Sequence, residues 1–158
     1  MTLGSHQTSI GASQSMDSQR PRRLRPRSVR RRSVPWDCAH TSYTARGLDR
    51  EWYGRTWLNP PFHRYEVAHW VQKLAQHGHG TALLHARTEA EWFEPVWEKA
   101  TAILFLADRL YFHYPDGRRA EANSGAPACL IAFGEHDARA LRQSGIAGYL
   151  ISKWEAVP

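Results

Sequence analysis

The sequence predicts an α/β fold, a Rossmann-like sheet of parallel strands with crossover helices and an antiparallel C-terminal edge. Three observations predict it. Short apolar runs alternate with segments of helical periodicity from about residue 56 to residue 154. The stretch Asn59-Pro60-Pro61-Phe62 directly follows one such run, Thr56-Trp57-Leu58. Ligands of α/β sheets bind at that place, the carboxyl end of a strand. Finally, Ala126–Phe133 follows the apolar run Thr101–Leu106 without an intervening helical pattern, so the two are expected to pair antiparallel.

At 158 residues the chain has room for one domain with a real core. No run of 18 apolar residues occurs, so nothing is expected to span a membrane. Cys38 and Cys129 form no CxxC pair and read as reduced thiols in a cytoplasmic protein. The net charge of +6 is unevenly placed. Eight arginines fall within residues 20–32, and from Trp36 onward 13 Lys and Arg face 14 Asp and Glu. Residues 1–33 are rich in Ser, Gln, Arg and Pro, and are expected to be disordered because they cannot bury enough apolar surface to offset their ordering entropy. They read either as a basic arm adding non-specific phosphate contacts or as a solvated extension. They could also lie upstream of the true start of translation. No apolar h-region marks a secretory signal. Residues 34–158 are read as the folded domain.

Thr44–Trp57 is a polar linker ending in a strand, with Trp52 and Trp57 expected in the core. Asp49 or Glu51 reads either as an acceptor for ribose hydroxyls of a cofactor or as a solvated carboxylate. The prolines that follow fix φ near −65° and have no N–H to donate, so they end the strand. Tyr65–His77 has the periodicity of a helix, with Val67, Trp70, Val71 and Leu74 on one face and Gly78 and Gly80 after it. His69, His77 and His79 have no second ligand cluster, so no metal is expected. Thr81–Ala86 is an apolar strand, and Arg87 at its carboxyl end is expected to touch a phosphate. Thr88 and Glu91 have the spacing of a capping box for a helix with Trp92, Val96, Trp97 and Ala100 inward. After the strand Thr101–Leu106 come Asp108-Arg109, the segment Leu110–His113 and a turn at Pro115-Asp116-Gly117-Arg118-Arg119. A helix over His136–Gln143 and a strand over Gly148–Trp154 complete the chain.

The proline corner suits one difficult reaction, alkylation of an exocyclic amine on a nucleobase. The lone pair of adenine N6 is delocalised into its ring, so that nitrogen is a poor nucleophile. Two acceptors on its two N–H bonds, Asn59 Oδ1 and the Pro60 carbonyl, would draw it toward tetrahedral geometry. Pro61 would set the loop, and the ring of Phe62 would stack on the base and hold it out of the helix. Stacking of that kind is worth roughly 1–3 kcal/mol per base. A plain Asn-Pro turn is the alternative reading.

The run Asp37-Cys38-Ala39, Gly47-Leu48, Trp52 and Gly54-Arg55-Thr56-Trp57-Leu58-Asn59-Pro60-Pro61-Phe62 resembles the phage and prophage Dam-like DNA N6-adenine methyltransferases. The blocks Leu83-Leu84-His85-Ala86-Arg87-Thr88, Trp92-Phe93 and Ala107-Asp108-Arg109-Leu110-Tyr111-Phe112 follow in the order that family shows, so the resemblance covers about residues 36–135. It implies a Rossmann-like S-adenosylmethionine-dependent methyltransferase sheet acting on a flipped adenine in double-stranded DNA as a monomer. It implies catalytic roles for Asn59, Pro60, Pro61 and Phe62. It places Asp37, Cys38 and Ala39 in the cofactor loop, with Asp37 open between cofactor contact and loop cap. Arg109 and Phe112 it sets near the substrate, with an Asp108–Arg109 ion pair as the equal alternative for Arg109. Two departures stand out: Trp36 directly precedes Asp37, and no Pro follows it. Arg30-Arg31-Arg32-Ser33 occupies the place of the first strand, and no GxG lies upstream of Asn59, so the first strand is read as lacking or degraded. Two other functions stay open: methylation of a glutamine amide nitrogen in a protein, and an inactive DNA-binding remnant of the adenine methyltransferase fold.

Overall fold

The computed structural model describes residues 7–11, 41–43, 46–114 and 116–157. In chain order the elements are β1 (Gln7–Gly11), β2 (Thr41–Tyr43), β3 (Arg55–Asn59), α1 (Arg64–His77), β4 (Gly80–His85), α2 (Glu94–Lys99), β5 (Ala102–Leu106), β6 (Ala128–Phe133), α3 (Glu135–Arg142) and β7 (Gly148–Ile151). The chain is α/β, and its sheet is mixed. Five strands, in the order β3-β4-β6-β5-β7, make its body, with β3 and β4 parallel and every later neighbour antiparallel. Beyond β3, the short segments β1 and then β2 extend it in parallel. Gln7–Gly11 thus pairs with β3 although it falls in the stretch expected to be disordered, whereas the Arg-rich run 20–32 lies outside the described residues.

The antiparallel edge expected at the C-terminus is β7. The strand before it, β6, is not at an edge but between β4 and β5. Its composition explains this. Ala-Cys-Leu-Ile-Ala-Phe has no polar side chain for a solvated face, and all six residues are buried. Cys129 within it is a free thiol whose pKa burial pushes up to about 12.

The two faces of the sheet are covered by different helices. Val67, Val71 and Leu74 of α1 and Val96 of α2 pack with Leu58, Ala82, Leu84, Ile103 and Ile131. On the other face, Ala138 and Leu141 of α3 cover Ala102, Leu104, Leu130 and Ala132. Each fully buried aliphatic side chain contributes roughly 1.5–3 kcal/mol. Alternation along β3 sends Thr56 and Leu58 to the first face and Arg55, Trp57 and Asn59 to the second. Trp57 is therefore not in the core: it is 38% exposed. Trp52 is buried as expected, stacking on Trp70 at 6.1 Å and donating its indole N–H to the Gly47 carbonyl.

The capping box does not form. After β4 the chain makes a 3-10 turn over Glu91–Phe93, capped at Ala90 without a side-chain bond, and α2 starts only at Glu94. Pro95 is the reason. A helix running from Thr88 would put it in the interior, where its ring meets the carbonyl four residues back, and at the first turn it is harmless.

One buried ion pair ties the α3 face to β3. Arg55 Nη2 lies 2.7 Å from Asp137 Oδ1, and the Thr81 hydroxyl donates to the same oxygen at 3.2 Å. Asp137→Ala leaves the half-buried guanidinium unpartnered. It is expected to cost about 3–5 kcal/mol in urea unfolding. Asp116→Ala, which breaks an exposed pair with Arg118 that solvent screens, is expected to cost far less. Similar losses for the two would contradict this account.

Candidate active site at the carboxyl end of β3

Asn59 is the last residue of β3, and the chain turns through Pro60, Pro61 and Phe62 to His63, the N-cap of α1. Pro60 is buried, Pro61 and Phe62 half-buried. Asn59 Oδ1 is closed off from solvent and has no hydrogen-bond partner. A buried acceptor left this way costs about 1–3 kcal/mol, so an oxygen held there is one that a ligand's donor could satisfy. Thr56 Oγ1, on the opposite face of the same strand, is in the same condition.

Rings gather around the corner. The Phe62 ring lies parallel to the His85 imidazole, with centroids 4.0 Å apart and planes at 11°. Phe112 meets Phe62 at 6.1 Å, tilted by 53°. Phe112 also lines a cavity of about 470 Å³ with Leu83, Leu110, Tyr111 and His113. Trp57 pairs with Thr81 and Leu58 with Ala82, so the next step along the parallel register sets Asn59 beside Leu83, one of the residues lining that cavity. Burial first, and the Arg87 guanidinium second, hold His85 below the ordinary histidine range. The imidazole against Phe62 is therefore neutral at physiological pH.

Two stretches distant in sequence thus meet here, Asn59-Pro60-Pro61-Phe62 after β3 and Phe112 after β5. Arg87 follows two residues after His85 and lines a second cavity of about 590 Å³ with Tyr65, His69, Glu89, Glu91 and Trp92. Arg109 is exposed beyond β5, and no Asp108–Arg109 ion pair occurs among the described residues. The structure does not bring Asp49 to the corner. Lys73, late in α1, donates to the Leu48 and Arg50 carbonyls on either side of Asp49, and His77 donates to Gly54. Those bonds hold Asp49 toward the amino end of β3, where its carboxylate pairs with Arg46 at 2.9 Å. Asp37, Cys38 and Ala39 lie outside the described residues. His85 was missed as a partner of Phe62. Its place in an apolar run, one residue before the chain leaves the sheet, was the available signal.

Comparison with known protein families, with curated proteins and with solved structures finds no match to this chain. No helix among the described residues is long and apolar enough to cross a membrane, and no cluster of three metal-ligating side chains occurs among them.

Two measurements check the site. Asn59→Leu removes an unsatisfied acceptor at similar volume, so unfolding stability is expected to stay level or rise by about 1–2 kcal/mol. A loss of more than that would mean the oxygen has a partner within the fold. His85 is expected to titrate below 6.5 by NMR, and Arg87→Gln to move its midpoint up. Because the folded-state pKa is depressed, the unfolded chain binds the extra proton. Stability from His85 is therefore complete above pH 6.5 and declines as pH falls from 6.5 through the folded value.

Proposed function

We propose that this chain is an S-adenosylmethionine-dependent DNA adenine-N6 methyltransferase. The observation that carries the reading is the unsatisfied, solvent-excluded Asn59 Oδ1 in an Asn-Pro-Pro-Phe corner at a strand's carboxyl end. An exocyclic amine brings two N–H donors. One would satisfy Asn59 Oδ1 and the other the Pro60 carbonyl, drawing the nitrogen lone pair out of conjugation. The Phe62 ring suits a flat heterocycle, and Phe112, which meets it at 6.1 Å, lines a cavity of about 470 Å³ that has the volume for a purine. Inside a duplex N6 cannot be approached in line, so the base would be flipped out. His85, parallel to Phe62, covers one face of that ring and leaves the other for the base.

Strand order supports a ligand crevice at the same place. The chain lays β2 on one side of β1 and β3 on the other, and open α/β sheets bind ligands where the order reverses in this way. Gly11, at the carboxyl end of β1, stands in register with Asn59 and carries no side chain to fill that crevice. S-adenosylmethionine, when bound, supplies a methyl group on a sulfonium that leaves as a neutral thioether. Asp49 does not fit a contact with it, because its carboxylate faces Arg46 near the other end of β3. In this reading the methyl donor lies outside the carboxyl ends of β1 and β3.

A protein glutamine amide would offer the same two N–H bonds, and the near-neutral body of the chain favours that substrate over DNA. The Phe62 ring favours the heterocycle, since an amide has no ring to stack on it.

Labelled-methyl transfer tests the reading. Incorporation is expected into adenine-containing duplex and not into protein, and Asn59→Ala is expected to lower the rate by about 10²-fold or more, the scale of losing one preorganised hydrogen-bonding group. Calorimetric titration showing no binding of S-adenosylmethionine at millimolar concentration would point to the inactive remnant. Full activity in Asn59→Ala would exclude the proposed mechanism.

A further inference from the structure

We infer that the two-stranded ribbon over residues 110–124 grips the sugar–phosphate backbone of duplex DNA beside the corner, through Arg118 and Arg119. This rests on the functional reading above and adds the surface that holds the DNA. Successive backbone bonds build the ribbon: Ser124 N–H to the Leu110 carbonyl at 2.7 Å, Ala120 to Phe112 at 2.8 Å and Tyr114 to Arg118 at 2.8 Å. Gly117 N–H donates to the Tyr114 carbonyl at the tip, and His113 and Arg119 face each other in an antiparallel bridge. A two-stranded ribbon of this kind is narrow enough to lie in or along a DNA groove.

Its position connects it to the corner. In the sheet β5 runs parallel to β4, so the chain leaves β5 on the same rim as Asn59. Phe112 is half-buried toward Phe62, while its neighbours Tyr111 and His113 are exposed. Phe112 thus turns toward the corner, while Arg119 lies against Tyr111 and Arg118 against Tyr114 near the tip, and both cations are exposed. The Arg119 guanidinium lies 3.6 Å from the Tyr111 ring centroid, and no carboxylate pairs with it among the described residues. The ring contact positions the guanidinium, and a guanidinium not paired with a carboxylate can take a phosphate bidentately. Arg118 lies 5.5 Å from the Tyr114 ring and is held 2.8 Å from Asp116, an exposed pair that a phosphate can displace. Asp108, Asp116 and Glu121 balance Arg109, Arg118 and Arg119 in this stretch, so its affinity comes from placement and not from net charge.

The test is the salt dependence of duplex binding by the full chain, alongside labelled-methyl transfer. Arg118→Ala and Arg119→Ala are each expected to lower the slope of log affinity against log salt by about 0.9, and about equally for every duplex sequence. Lys99→Ala removes the same charge at the end of α2, before β5 begins, and is expected to leave the slope unchanged. The eight arginines of residues 20–32 contribute equally in all variants. Unchanged slopes in both arginine variants, with methyl transfer intact in the unaltered chain, would overturn the ribbon's role alone. A loss confined to particular duplex sequences would also overturn it, since it would mark base contacts. An unaltered chain that neither binds nor methylates duplex would overturn this inference and the functional reading together.

Discussion

The close approach of β4 to β3 at Gly80 is the constraint on which the rim depends. A Cβ at Gly80 would stand 2.2 Å from the Thr56 carbonyl oxygen, with φ at +148°, so only glycine lets the strands meet here. Thr56 N–H bonds to the His79 carbonyl just before it, and the parallel register Thr56–Gly80, Trp57–Thr81, Leu58–Ala82 follows. That register decides which side chains share the rim. Shifting it by one residue would turn His85 and Leu83 to the α1 face and leave Phe62 and Asn59 without the neighbours they now have.

Around that register the polar and apolar parts divide the work. Leu58, Val67, Val71, Leu74 and Leu84 fasten α1 beneath the sheet. Because α1 begins four residues after Pro60, its docking also sets where the proline corner stops and where Phe62 points. The clamp of Lys73 and His77 on residues 48–54 holds the chain entering β3. The corner is thus fixed at both ends by packing, leaving Asn59 Oδ1 as the part of it not yet satisfied.

Much of this was legible in the residues. The helix Arg64–His77 lies within a residue of its expectation because four large apolar side chains recur at helical spacing and Gly78 ends it in a left-handed conformation. β4, β5 and β6 announce themselves as continuous apolar runs. What was not legible depends on contacts distant in sequence. Nothing near residue 128 says that β6 slips between β4 and β5. Nothing near Trp57 says that its face of β3 lacks the helix covering the other. Gln7–Gly11 has no strand pattern of its own and pairs through its backbone. At the site, the corner stood out because its chemistry is local. Asp49 stayed open between two readings because an acid after a strand carries no record of which end of the next strand it will occupy.

The central place of β6 has a consequence for how the chain is made. β4 and β5 are both synthesised before it, yet they do not touch as neighbours; each takes β6 as its partner. A nascent chain that has emerged only as far as the tip of the ribbon therefore holds two apolar strands with open edges. β4 and β5 are joined only once Phe133 clears the ribosome, and β7 adds to β5 after that. A truncation anywhere before that residue would leave a sticky intermediate and not a smaller working domain.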